Sequence, residues 1–318
     1  MSLPFLQPYF GLSNSLQTAQ GDTGGDASPT RGVFGGGDTG VLTNIIDYIT
    51  IATLGNATDF GDLSVTRQVA GSCNSNTRGC FGGGVTMSNV IDYITIATPG
   101  NATDFGDLTV ARQYGGGAVN SSTRGVFGPG STGVLVNTMD YITIATPGNA
   151  TDFGDTSLTA YTGAGCNSST RGVFRLGYSS AGESNVMEYI TIATTGNATD
   201  FGDSTATTSA LAGLNSDVRG CFAGGTTSSG SVYHNVIDYI TIATTGNATD
   251  FGDLTVARGS SPQGISSLTR GCFGGGVSSG YTYQNVIDYI TIATPGNATD
   301  FGDLTAAREY LGGCQNGL

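Results

Sequence analysis

The chain has 318 residues, 53 of them Gly, and carries 11 cationic side chains against 24 acidic ones for a formal charge of -13. Like charge repels phosphate, which excludes nucleic acid and acidic membrane surfaces as partners, and because every cation is Arg, Schiff-base and P-loop lysine chemistry is excluded too. No stretch approaches the roughly 18 apolar residues of a membrane helix, and abundant Thr, Ile and Val beside Gly favour short strands and tight turns over helices.

The opening MSLPFLQPYFGLSNSLQ lacks a basic segment followed by a long apolar one. It is therefore expected to carry no Sec leader, and the chain to be soluble. Residues 1–30 precede the first repeat and are read as an arm. From Arg31 onward an RG(V/C)F motif recurs at Arg78, Arg124, Arg171, Arg219 and Arg270, at intervals of 47, 46, 47, 48 and 51 residues. In each unit Gly32 to Phe34, or its equivalent, is a short apolar strand that ends in a Gly-rich stretch such as Gly35 to Gly37. A variable loop leads to the β-branched and aromatic run around Tyr48 (NIIDYITIAT, or NVIDYITIAT in other units), which has the length of a strand. The following PGNA or TGNA places Gly and Asn where a hairpin requires positive φ. TDFGDLTVAR reads as the return strand, and Gln68 to Thr77 holds one more strand and a loop. Four strands in roughly 47 residues match a propeller blade.

Ring closure is expected at the ends of the repeats. Five residues before the RGxF arginine, units two to six carry the apolar Cys73, Val119, Cys166, Leu214 and Ile265, whereas the first unit offers Asp26. Cys314 supplies the missing residue in matching context after Arg308. The expected architecture is thus all-β: a six-bladed propeller over residues 31–318, closed where the C-terminal strand pairs with the strand of Val33 in the first blade, leaving no open edge.

Of the 24 acidic residues, 18 fall in three columns headed by Asp47, Asp59 and Asp62. Six repetitions mark scaffold, so the NATDFGD carboxylates are expected to cap turns or to pair with an RGxF or VAR arginine rather than to hold Ca²⁺. The N-x-T triplets at Asn56, Asn101, Asn149, Asn197, Asn247 and Asn297 read as hairpin turns rather than glycan acceptors. Cys alternates with Val at Val33, Cys80, Val126, Val173, Cys221 and Cys272, the behaviour of small buried hydrophobes. Only Cys73 and Cys80, on adjacent strands, are placed for a disulfide. CxxC spacing is absent, and neither metal nor cofactor is expected.

Catalytic groups are scarce. Gly276 to Gly280 spells GxSxG, but a nucleophile elbow requires a strand-to-helix turn and a His partner, and His234 is the chain's one histidine. No enzymatic activity is expected. The informative variation lies in the loops: from the RGxF Phe to the DY Tyr the units span 14, 12, 14, 15, 17 and 16 residues. The longer loops bring Tyr178, Tyr233, His234, Tyr281 and Tyr283 amid Ser and Gly. Equivalent loops gather on one face of a ring, and rigid aromatics among small residues are the composition of adaptable binding loops. These five residues are the candidate ligand-binding or host-binding set.

Gly-rich units with a GG-terminated second strand, an aromatic strand and a hairpin resemble the kelch-type propeller over residues 31–318, although the kelch Trp is missing and the nearest equivalent is Phe60, twelve residues past Tyr48. The wording DYITIAT(P/T)GNATDFGDLTVAR is similar to kelch-like repeat proteins of tailed phages, particularly those of marine cyanobacteria. That resemblance implies a non-enzymatic virion structural protein, a tail fibre, appendage or capsid-decoration module assembled in the host cytoplasm. It would contact other virion proteins through residues 1–30 and a host surface glycan or protein through its loops, with a homo-oligomer left open. The alternative is a lectin-like propeller outside any virion. The copper radical oxidases among kelch propellers need histidine ligands that one His does not supply.

Overall fold

Repeating one strand set at a near-constant period produces one supersecondary unit repeated. In the computed structural model, which describes residues 30–316 except 116, 162, 228 and 229, that unit is a four-stranded antiparallel sheet, formed six times. The strand set is the same in each: blade 2, for example, runs Gly71–Asn74, Arg78–Gly84, Ser88–Thr95 and Thr103–Asp107 from inner to outer edge. The inner strand of each blade touches those of its two neighbours, so the inner strands form a closed cycle around an axis. The arm expected over residues 1–30 lies outside the described residues except for Thr30.

Blade 1 is completed from the far end of the repeats. Its inner strand is Gly312–Gln315, followed outward by Arg31–Gly35, Ile45–Thr50 and Thr58–Asp62. Val33 stands opposite Cys314, the register expected from the sequence. No strand edge is left at this junction.

The core lies between blades, not within them. Six buried clusters each join two adjacent blades; one gathers Val33, Ile46, Phe60 and Leu63 of blade 1 with Phe81, Ile94 and Ile96 of blade 2. Both faces of a third strand are therefore covered, which explains why Ile46, Asp47 and Ile49 are all buried despite strand alternation. The glycine of RGxF fits the same packing: a Cβ on Gly125 would stand 2.2 Å from the Cys73 sulfur of the preceding blade.

The outer strand is shorter than the sequence suggests. It ends at Asp62 rather than continuing through the VTR segment, because a β-bulge between Ile46 and Asp47 bends it and Leu63 turns into the core. Gly61 sits at the bulge with φ of 143°, and a Cβ there would lie 2.6 Å from the Gly100 carbonyl of blade 2. Only glycine combines that backbone with that approach.

The invariant residues of the repeat specify junctions. The Oδ1 of Asn101 accepts the Asp62 amide at 3.1 Å, and the same bond recurs around the circle to Asn56, which takes the Asp303 amide. N-x-T thus does more than form a hairpin. Each RGxF guanidinium lies over the Tyr of its own blade, Arg31 at 4.3 Å from the Tyr48 centroid, and donates to a carbonyl of the next blade, Ile96 O at 2.9 Å.

The NATDFGD aspartates do not take the arginines expected for them. The VAR arginine instead reaches the Asp47 column of the next blade: Arg67 to Asp92 at 2.9 Å, Arg112 to Asp140 at 2.7 Å, Arg258 to Asp288 at 3.0 Å and Arg308 to Asp47 at 2.9 Å. These pairs are fully buried, and Ser64 or Thr305, or its equivalent, donates its hydroxyl to the same carboxylate. Where Thr208 replaces the arginine, Arg175 enters from the neighbouring strand and donates to the Ala206 and Thr208 carbonyls. All six cysteines are free and buried, so Cys73 and Cys80 face each other across two strands as thiols. Among the described residues no helix is long and apolar enough to cross a membrane.

Candidate functional site

Antiparallel blades sort their connections between two ends of the ring. One end carries the invariant turns; the other carries the variable second-to-third loops together with the links from each outer strand to the next inner strand. At the invariant end the axis is circled by polar side chains. Asn120 Oδ1 accepts the Asn74 amide at 3.2 Å, Asn167 that of Asn120 and Asn215 that of Asn167, both at 3.1 Å.

The variable end is aromatic. The longer loops fold back as small hairpins: Thr226–Thr227 with Val232–Tyr233 in blade 5, and Val277–Ser278 with Thr282–Tyr283 in blade 6. In blade 4, Tyr178–Ser179 pairs with Gly182–Glu183 and with Ala160–Tyr161 from the incoming link. A cleft of about 240 Å³ opens between them, lined by Tyr161, Tyr178, Tyr233, Tyr281 and Tyr310. Tyr161 and Tyr178 stack with centroids 5.1 Å apart. Tyr114 bridges Tyr161 and Tyr310 at 5.7 and 5.9 Å, and with Tyr310 it also lines the axial cavity of about 50 Å³.

Three of the five candidate residues, Tyr178, Tyr233 and Tyr281, are therefore brought to one cleft. Tyr283 stands edge-on to Tyr281 at 6.4 Å, outside the lining. His234 goes elsewhere: its Nε2 lies 3.0 Å from the Thr227 hydroxyl, and the ring borders a small void beside Arg175 and Asp238. Ser278 of the GxSxG stretch accepts from Gln284 Nε2 at 2.8 Å in a two-residue strand, far from the geometry of a nucleophile elbow.

Tyr114, Tyr161, Tyr310 and Glu309 are additions that loop length did not reveal. Tyr114 and Tyr310 stand at one repeat position, two residues past the VAR arginine, where Ala210 and Ser260 are their equivalents. All four have left-handed backbones, with φ between 52° and 58°. Each such residue costs on the order of 1 kcal/mol and persists only where its surroundings enforce it. Here the inward turn of the link enforces it, and the result points rings at the axis. A sequence signal did exist: the residues just after the VAR arginine change between units (Gln68-Val69, Gln113-Tyr114, Gly259-Ser260, Glu309-Tyr310) while those before it hardly do.

Glu309 is the electrostatic centre of this end. Its backbone pairs with that of Asp38, its side chain is buried, and its Oε2 has no hydrogen-bond partner. Burial raises its pKa to about 7, the Ser260 hydroxyl bond opposing and the Asp38 charge reinforcing the shift. Tyr281 is raised first by the Glu309 charge, and Tyr233, Tyr283 and Tyr310 by burial and then by neighbours that include Glu309. Among the described residues no group of three or more His, Cys, Asp or Glu side chains is arranged to hold a metal ion.

No protein-family profile matches the chain, and no curated protein sequence matches it. Among solved structures it is similar to that of YjhT, with a TM-score of 0.64 over 78% of this chain and 87% of that one. At 10% identity this likeness concerns the fold alone, and the fold is an all-β propeller.

Proposed function

We propose that the chain is a non-enzymatic virion structural protein of a tailed phage, a kelch-like propeller whose rigid ring presents the tyrosine-lined end to the host surface while residues 1–30 tie it to other virion proteins. One observation carries the recognition role: rings from separate blades and links converge on one cleft, while repeat arginines, the N-x-T asparagines and the Asp47-column carboxylates join blades. Tyrosine supplies broad, amphipathic contact area with little conformational freedom to lose. The virion assignment is supported by the repeat wording, and a non-catalytic role by the structural use of Ser278 and His234. A lectin-like propeller outside any virion is the alternative, favoured by the same cleft.

Mass spectrometry of purified virions, followed by immunogold labelling with antibody to the propeller, tests the first assignment. Labelled particles, and soluble propeller that competes with phage adsorption until Tyr178→Ala and Tyr281→Ala are introduced, are the expected results. Absence of the chain from virions would overturn the virion role, leaving the lectin reading if host-surface binding persists.

A further inference from the structure

At the variable end Asp38 and Glu309 form no ion pair with an arginine among the described residues. All 11 arginines can be placed: six lie over the Tyr of their own blade and bond to carbonyls at the invariant end. Arg67, Arg112, Arg258 and Arg308 are buried against carboxylates, and Arg175 is buried against carbonyls. At the tyrosine-lined end stand Asp38 and Glu309, whose charges both act on Tyr281. The Asp38 carboxylate accepts from the Gly40 amide at 2.7 Å and from Gln68 Nε2 at 3.2 Å, both neutral donors.

Resting on the recognition role proposed above, we infer that the tyrosine cleft is a site for an alkylammonium group, and that it discriminates against anionic sugars and phosphates. Two independent features meet there. Electron-rich ring faces attract cations, and quaternary ammonium groups are bound by such aromatic walls. Just outside the lining, next in chain to Tyr310 and close enough for its charge to act on Tyr233 and Tyr281, Glu309 keeps one carboxylate oxygen buried without a partner, an uncompensated acceptor whose field a cation satisfies and an anion opposes. An uncharged sugar would use the rings but not the field.

Proton linkage makes the idea testable. Glu309 is faced by Asp38 from blade 1, Ser260 from the link into blade 6, Tyr233 and Tyr281 from two hairpins, Tyr283 beside them, and Tyr310 at the mouth; its neighbour Arg308 is held by Asp47. With its pKa raised to about 7 by burial, Glu309 is partly protonated near neutrality. A cation prefers the charged form, so binding should tighten as pH rises through that value.

The experiment is a calorimetric titration of the full chain with choline, whose charge does not titrate, and with its uncharged isostere 3,3-dimethylbutanol. Choline is expected to bind roughly tenfold tighter than the isostere, and to gain up to roughly tenfold in affinity between about pH 6 and about pH 8. Glu309→Gln should flatten that pH dependence, and Asp38→Asn should weaken choline at all pH values. A free-amine chito-oligosaccharide and its N-acetylated form then separate an amino sugar from a trimethylammonium headgroup as the source. Equal affinity for choline and isostere, tighter binding of glucuronate, or an unchanged pH profile in the folded Glu309→Gln protein would overturn the inference. If Tyr178→Ala still abolishes host adsorption in that case, the recognition role stands and only the ammonium assignment falls.

Discussion

Asp92 shows how one residue type reads differently alone and in place. In sequence it belongs to a column of acids that could be solvated; in the ring it is fully buried, holding Arg67 at 2.9 Å and the Ser64 hydroxyl at 2.5 Å from the preceding blade. Two atoms of Arg67, Nε and Nη1, already lack partners, so removing the carboxylate strands a buried guanidinium. Asp92→Ala should cost about 3–5 kcal/mol, read as a lowered midpoint in urea unfolding, and an unchanged midpoint would show that the pair contributes nothing. Glu309 sets a pH dependence of stability. Its folded pKa, about 7, lies above the ordinary glutamate value of 4.5, so between these values the native state holds a proton that the unfolded chain has released. Its contribution is present in full below the lower value and is lost as pH rises through the upper one. Thermal midpoints should therefore fall more steeply over that window in the natural chain than in Glu309→Gln; parallel curves would contradict the assignment.

Among the elements, the strand Gly312–Gln315 has the largest consequence for its length. It pairs with Arg31–Gly35, and Cys314 covers Cys73 and Cys80 of blade 2, its sulfur 3.6 Å from the Cys73 carbonyl. Deleting residues 312–318 should open an edge in blade 1 and expose these thiols. In the intact fold all six cysteines are buried and free, and burial raises Cys166, Cys221, Cys272 and Cys314 above the usual thiol range, Cys221 and Cys272 to about 12. Native protein should thus resist a thiol-reactive dye that labels the truncated chain promptly; equal protection in both would show that the strand does not close the ring. This element was legible in the sequence because Cys314 fills a vacancy in a repeat column. The outer strand was less so, since the bulge that ends it at Asp62 depends on Gly61 meeting the next blade, a contact that no single unit contains.

Across the whole molecule, the repeat announces the ring but conceals what its invariant residues join. Period and closure follow from residues compared in register; junction partners do not, because Arg67 with Asp92 and Asn101 with Asp62 meet only once blades are side by side. The tyrosine-lined end was half legible for the same reason. Loop length marked Tyr178, Tyr233 and Tyr281, whereas Tyr114, Tyr161 and Tyr310 reach the mouth through links of ordinary length, and His234 was drawn aside by Thr227. The resulting division of labour is a stiff, self-joined ring with one variable end. Hydrogen–deuterium exchange of the full chain, with and without a host envelope fraction, tests that division most directly. New protection is expected only in the links and hairpins carrying Tyr161, Tyr178, Tyr233, Tyr281 and Tyr310; protection centred instead on the invariant turns around Asn74, Asn120 and Asn167 would refute that division.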